Sequence, residues 1–402
     1  RWMSTPRRRA DAKGAVEGES AATRGEPVPA AKGRLVAPAG KPPELSAEIA
    51  GADLAQALAI ARRKVSGLEA IESARGRVSA KAALALERAW RLNVELVKSD
   101  AAVKLAELPW PLSPHRAKVA ISEERVHVSE LAGSLGNSSF SGAAAQVELR
   151  KPARLSAASG HAKLDLKQWF PWLRGKLPLD EISSLSGTAE ASLHRLALRL
   201  DNPAAADFEV LVTPRNVSAE LKALPGTLSV TGGSVHADSK RVRGTGLNGS
   251  LGKSTFSEAA FQVELEKHTR ISAASGRATL ELEQWFPWLQ AKLPLEEISS
   301  VSGSAELTLN RLALRFDNPA AADYDAVARP RDVAEPRDLL RPAEVEHEVM
   351  RVIGRGPAPL SVPEGGGLAV EDVFRQAVLA FPFLTVGIRD APAGAVQRLA
   401  GF

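Results

Sequence analysis

A mostly β chain, built by tandem repetition and finished by a short helical C-terminal tail, is what the sequence predicts. The first observation is that the chain contains itself twice. GSLGNSSFSGAAAQVELRKPARLSAASGHAKLDLKQWFPWLRGKLPLDEISSLSG starts at Gly133 and GSLGKSTFSEAAFQVELEKHTRISAASGRATLELEQWFPWLQAKLPLEEISSVSG at Gly249, an offset of 116 from 133 to 249. The same offset, without a gap, links Trp169 to Trp285, Asp201 to Asp317 and Pro214 to Pro330. Helical solenoids repeat every ~33–34 residues, so this period is instead that of a small domain or of several strands added to a sheet. The second observation is that apolar residues alternate with polar ones in short runs, the period of a half-buried strand. The third is that helical spacing is nearly confined to one recurrent break, QWFPWL, and to the two ends.

The elements follow in order. Residues 1–43 are rich in Arg, Ala, Gly, Pro and Glu and poor in apolar periodicity, so they are expected as linker or disorder. Residues 44–131 read as a diverged copy: LEAIESARG (68–76) aligns with LDEISSLSG (179–187), Ile71 with Ile182 and Gly76 with Gly187. Ahead of it, ADLAQALAIARRKVSG places Leu54, Leu58 and Ala61 on one helical face, where the next copy has KQWFPWLRGKLP. Alternating runs then lead to the proline-rich LPWPLSP.

In the second copy, 132–247, AAQVEL puts Val147 and Leu149 on one face and AKLDL does so for Ala162, Leu164 and Leu166. In TAEASLHRLALRL the apolar phase slips at His194-Arg195, and the third copy, 248–334, slips at the matching place between Leu309 and Leu312. One extra residue that keeps both halves on one face predicts a β-bulge in each copy. TLSVTGGSVHAD reads as a hairpin turned at Gly232-Gly233, and DNPAAAD as a turn. Pro171 and Pro287 suit the first turn of a short helix or a tight turn. The third copy stops at Ala334; in the tail, 335–402, Val345, Val349 and Val352 have helical spacing and LAVEDVFRQAVLAF reads as a second helix.

Composition narrows function. Of 402 residues, 52 are Lys or Arg and 47 Asp or Glu, a net charge of +5. Because the signs are interspersed, they suit a solvated face better than a nucleic-acid footprint, with Arg7, Arg8 and Arg9 the one basic cluster. There are no cysteines, hence no disulfides or thiolate metal sites. No apolar run reaches the ~18 residues of a spanning helix; the longest, 377–388, contains Pro382. A chain opening on Arg1 reads as a piece of a longer protein.

Chemistry-bearing patterns are sparse. No two of the seven histidines sit at metal-ligand spacing, and His161 and His194 become Arg277 and Asn310 in the next copy. The paired acids Asp180-Glu181 and Glu296-Glu297 are adjacent and diverge, which disfavours an acid/base dyad. GSLGKST lacks the phosphate-loop spacing, and Lys253 is Asn137 in the neighbouring copy. The expectation is a protein without catalysis, metal or cofactor. The aromatic cluster, Trp169, Phe170 and Trp172 with Trp285, Phe286 and Trp288, reads first as packing that covers one end of each unit. Its alternative is an interfacial lipid anchor. Periodicity leaves two architectures open, tandem β-sandwiches with closed cores or one continuous sheet.

The phrases LPGTLSVTGGSVHADSKRVRGTGLNGSLGKSTFS, SAASGHAKLDLKQWFPWL and LPWPL together resemble the AsmA-like superfamily of Gram-negative envelope proteins, over roughly residues 33–334. The resemblance implies an elongated, twisted antiparallel β-sheet groove with an apolar inner face. It also implies a periplasmic protein held by an N-terminal inner-membrane helix that lies outside this chain. Its partners would be phospholipid acyl chains, the inner and outer membranes and other envelope proteins, and no nucleic acid. On that reading the lipid path is lined in the second copy by Val147, Leu149, Leu164, Leu166, Leu193, Leu198 and Val230. In the third copy the lining is Val263, Leu265, Leu280, Leu282, Leu309 and Leu314. The alternative is a structural array of closed β-sandwich repeats, an adhesion or outer-membrane assembly scaffold.

Overall fold

In a computed structural model the described residues are 9–10, 16–20, 30–36, 44–62, 71–86, 89–106, 108–150, 152–176, 179–199, 202–222, 224–265, 269–291, 300–315, 318–334 and 350–355. They are mostly β: antiparallel strands of an open sheet that is not closed into a barrel, with three short helices among the described residues. The strands are β1 (Arg9–Ala10), β2 (Val16–Ser20), β3 (Ala30–Val36), β4 (Glu44–Asp53), β5 (Ile71–Arg75), β6 (Arg77–Leu86), β7 (Trp90–Ser99), β8 (Ala102–Leu105), β9 (Leu112–Ser122), β10 (Arg125–Leu135) and β11 (Ser138–Glu148). They continue as β12 (Arg154–Asp165), β13 (Ile182–Arg199), β14 (Asn202–Leu221), β15 (Thr227–Asp238), β16 (Arg241–Leu251), β17 (Ser254–Glu264), β18 (Arg270–Glu281), β19 (Ser302–Arg315), β20 (Asn318–Ala334) and β21 (Met350–Arg355). The helices are α1 (Leu54–Ala61), α2 (Leu166–Lys176) and α3 (Leu282–Gln290).

Two compact units divide the chain. The first holds residues 1–164 and 192–208 and the second 165–191 and 209–399. In the first, β1 to β4 pair in sequence, β4 pairs with β6, β6 with β7, β7 with β9, and β9 to β12 again in sequence. β5 and β8 pair with each other. β5–β6 and β7–β8 are therefore the two arms of one long hairpin, broken at Gly76 and Asp100. Gly76 has φ +93°, and a Cβ there would collide with the Asp100 carbonyl. Gly187 (φ +100°) sits 111 residues on, against the Asn216 carbonyl, and marks the same bend in a later copy. In the second unit β14 to β18 pair in sequence, as do β18 to β21.

Several expectations are corrected. Gly232-Gly233 is not a hairpin turn: β15 runs straight through, with register shifts on both sides of Gly232 and Gly233 at φ +108°. A Cβ on Gly233 would run into the Gly246 carbonyl and Leu247, so this glycine allows two strands to approach at a bulge. The tight turns lie instead at Gly136-Asn137 and Gly252-Lys253. There Leu135 faces Ser138 and Leu251 faces Ser254, and the glycines have φ near +60° (60° and 58°). The DNPAAAD stretches are strand from Asn202 and from Asn318 onward. Pro171 and Pro287 are the sixth helical residues, in the second turn rather than the first. Leu166 and Leu282 open helices and do not continue the preceding strands.

Within the segment expected as linker, β3 pairs residue for residue with β4. Backbone hydrogen bonding satisfies a strand whatever its side chains, a contribution that apolar patterning does not register. Met350–Arg355, expected as the end of a helix over 350–353 and the start of a loop at 354–355, is a strand on β20, with Val352 opposite Ala326. The rest of the expected tail, including its second helix, lies outside the described residues, as do Arg7 and Arg8. The slip in the third copy is a bulge: the β19–β20 register jumps between Leu309 and Arg311.

Candidate functional site

Cross-strand register, rather than any single strand, makes the main feature of the first unit. Leu45 on β4 faces Leu84 on β6, which faces Leu92 on β7, then Ile121, Val126, Val147 and Leu155 on β9 to β12. Two residues along, a second row runs Ala47, Ala82, Val94, Val119, Val128, Ala145. A third runs Ile49, Ala80, Leu96, Ala117. Side chains two apart share a face, so the three rows form one apolar surface. Apart from buried Ala117 and exposed Leu45, these residues are half-buried. The interleaved positions carry charge: Glu48, Lys81, Glu95 and Lys118 lie in one register row. Lys118 and Arg116 both bind Glu130, each at 2.6 Å. The Lys118 hydrogen bond, aided by Arg116, holds the Glu130 carboxyl below its ordinary range.

The second unit treats its apolar face differently. Val210, Ala237, Val242, Val263, Ile271 and Leu314 form the corresponding row across β14 to β19. Here α3 covers a closed core in which Leu282, Trp285, Phe286 and Leu289 are buried with Leu280, Leu307, Leu309, Leu312, Tyr324 and Ala326. A polar latch fixes the helix. Gln284 Oε1 accepts from the Lys253 N–H (2.6 Å), while its Nε2 donates to the carbonyls of Leu251 (3.0 Å) and Pro225. Buried Ser254 Oγ accepts from Trp285 Nε1 (2.9 Å) and from the Glu281 N–H (3.0 Å). Pro287 lacks an N–H, and its ring displaces the helical bond that position would make; the buried aromatic area offsets that.

The expected lining residues differ in burial. Val147 lies in the long row, Leu164 and Leu193 are half-buried on β12 and β13, and Leu198 is buried with Ala206 against Leu155 and Leu196. Leu149 lies beyond the end of β11 and is 43% exposed. In the second unit Leu166 and Val230 are half-buried, and Val230 stands between Val217 and Gly249. Val263, Leu280, Leu282, Leu309 and Leu314 are interior residues of the closed core, with Leu265 packed at its margin. Of the aromatic cluster, Trp285 and Phe286 are core and Trp288 packs beside them. Phe170 is buried, and Trp169 and Trp172 are half-buried. The tryptophans meet edge to face in both helices, at 5.3 Å in α2 and 5.6 Å in α3.

Sequence reasoning missed the first-copy half of the long rows, Leu84, Leu92, Val94, Val119, Ile121 and Val126. Their signal was present in RLNVELV and KVAI but fixes a face only once register is known. It also missed Gln284 and Ser254, whose partners are more than 25 residues away in sequence or are backbone groups.

Ion pairs repeat with the period. Arg154–Glu148 (2.7 Å) recurs as Arg270–Glu264 (2.5 Å), Arg195–Asp207 (3.1 Å) as Arg311–Asp323 (2.9 Å), and Arg215–Glu190 (3.3 Å) as Arg331–Glu306 (2.7 Å). Among the described residues no group of His, Cys, Asp or Glu could hold a metal ion, and no helix is long and apolar enough to cross a membrane. No family model, curated protein or solved structure matches the chain.

Proposed function

We propose that this chain is a non-enzymatic lipid-binding segment of an AsmA-like envelope protein, which shields phospholipid acyl chains as they pass through the periplasm between inner and outer membranes. The observation that supports this reading is the apolar surface of the first unit, three register rows wide and half-exposed, backed by a charged face. Each CH₂ removed from water onto such a surface contributes ~0.8 kcal/mol. A chain of a dozen or more carbons would therefore be held by contact alone, without a pocket or a specific polar partner. Headgroups would stay in water along the strand ends.

A second reading, a structural array of closed cores, is favoured by one observation, the core beneath α3. The two divide by unit: the third copy serves as a packed, stable end, and the first unit carries lipid. Native mass spectrometry of the purified chain, followed by lipid extraction, tests this. Phospholipid is expected to co-purify with the natural chain and to be lost when Val94 and Val119, register partners at the centre of the apolar surface, are both changed to Asp. Glu95→Gln, on the opposite face, should leave it in place. A folded natural chain that carries no lipid and takes up no fluorescent fatty acid would overturn the lipid reading in favour of the array.

A further inference from the structure

Two closely similar copies in one chain create a hazard: a strand of either copy has, 116 residues away, a rival with the same alternation. The hairpins β10–β11 and β16–β17 show how the hazard is met. Among their differences are exchanges that compensate across the strands. Val128 faces Ala145 in the first hairpin, and at the matching positions Gly244 faces Phe261 in the second. Phe261 lies directly over Gly244, close enough that any Cβ there would force the ring aside. Large-on-small has become small-on-large. At the open ends of the hairpins, Arg150 binds Glu124 at 2.5 Å, while the matching sequence positions carry Lys240 and Glu266, the same two charges in the opposite order. At the two left-handed positions the first hairpin has Glu130 (φ 53°) and Gly142 (φ 59°), and the second Gly246 (φ 59°) and Glu258 (φ 53°).

We infer that these exchanges form a registration code that keeps the hairpins of the two copies from trading strands, within one chain or between two copies of it. Each correct hairpin has one bulky and one small residue at the packed pair, one positive and one negative end, one glutamate and one glycine at the left-handed positions. A hybrid of β10 with β17 sets Val128 against Phe261, an overpacked pair, and Glu124 beside Glu266, a repulsive one. The reciprocal hybrid of β16 with β11 leaves Gly244 on Ala145, a gap, and Lys240 beside Arg150. Both hybrids lose on size and on charge, although every strand keeps its alternation. Complementarity that acts against a competing pairing, and not only for the native one, is how close relatives are kept apart.

The test uses the full chain and exploits its lack of cysteine. Ser134 natively faces Ser139 and Ser113, and Thr255 faces Ser250 and Thr279. A Ser134→Cys, Thr255→Cys reporter therefore forms a disulfide across a hybrid hairpin and not across a correct one. After dilution from denaturant the reporter bond should be scarce in the natural background. It should rise about fivefold when Glu124→Lys, Val128→Gly, Ala145→Phe and Arg150→Glu give both hairpins the same code. The converse set, Lys240→Glu, Gly244→Val, Phe261→Ala and Glu266→Arg, should raise it similarly. Carrying both sets at once should return it to background, which separates lost discrimination from general destabilisation. Equal reporter yield in all four chains, or a further rise in the chain with both sets, would overturn the inference.

Discussion

Helices α2 and α3 share Leu-X-Gln-Trp-Phe-Pro-Trp-Leu, yet Leu173 of α2 is half-buried while Leu289 of α3 is 2% exposed. The same contrast holds in the strands: Leu196 and Leu155 are half-buried, whereas their counterparts Leu312 and Ile271 are each 1% exposed. The shared motif carries the buried face of α3, and the residues around it differ between the copies. Val210 and Val212 become Ala326 and Ala328, both buried in the core that α3 joins, and Ala145 becomes Phe261, which packs against the core's margin. Trp110 becomes Gly226, in the loop whose Pro225 carbonyl the Gln284 latch binds. Two smaller residues and a larger one thus accompany the closed core of the third copy. The lesson is that the same eight-residue motif is buried in a core in one copy and half-buried in the other.

The sharpest way to break the comparison is truncation at matched positions. Leu312→Ala empties a fully packed site and should cost about 2–5 kcal/mol, whereas Leu196→Ala, already partly in contact with water, should cost roughly 1 kcal/mol. Denaturant midpoints followed by tryptophan fluorescence measure both, and equal losses would remove the distinction between the copies. A smaller effect is expected from Ser254→Ala. It leaves Trp285 Nε1 and the Glu281 N–H without an acceptor in the interior and should destabilise by about 1–3 kcal/mol. Glu281 amide exchange should quicken, and Trp285→Phe should cost less in the Ser254→Ala background than in the natural chain, because the hydrogen bond is already absent there.

The smallest effect is electrostatic. The Arg270 hydrogen bond is the main cause that holds the Glu264 carboxyl below its ordinary 4.5. A carboxyl depressed in the folded state contributes stability above its unfolded value and loses it as pH falls through the folded one. Arg270 is exposed and Glu264 only partly covered, so the loss below pH 4.5 should be slight and further reduced by salt. Arg270→Gln should flatten that part of the unfolding-midpoint profile without altering its neutral value by much.

The repeat, the alternation and the short helix were legible in the sequence because each is a local pattern. The bulge was legible too, since a one-residue slip at Asn310-Arg311 is itself a pattern. The glycine pair at 232-233 misled because Gly-Gly has the same conformational freedom in a turn and in a bulge. Only the neighbouring strand, with Leu247 at the Gly233 backbone, distinguishes them. β3 was missed because its partner, β4, and not its own composition, holds it. For the candidate site, alternation identified which residues share a face. It could not say whether that face meets a helix, as Leu309 and Leu314 do, or stays half-open, as Val147 does. That depends on side-chain volumes contributed by strands far along the chain.

In the second unit each strand from β15 to β21 pairs with the one made just before it, and in the first unit most do, with β5, β6 and β8 the exceptions. Synthesis at ~5–20 residues per second delivers an eleven-residue strand in about a second, and a hairpin closes in ~1–10 μs. Each strand can thus be zipped onto its predecessor while the next is still inside the ribosome. Where pairing is sequential, as from β14 to β21, the edge just made is covered within about a second by the chain's own next strand.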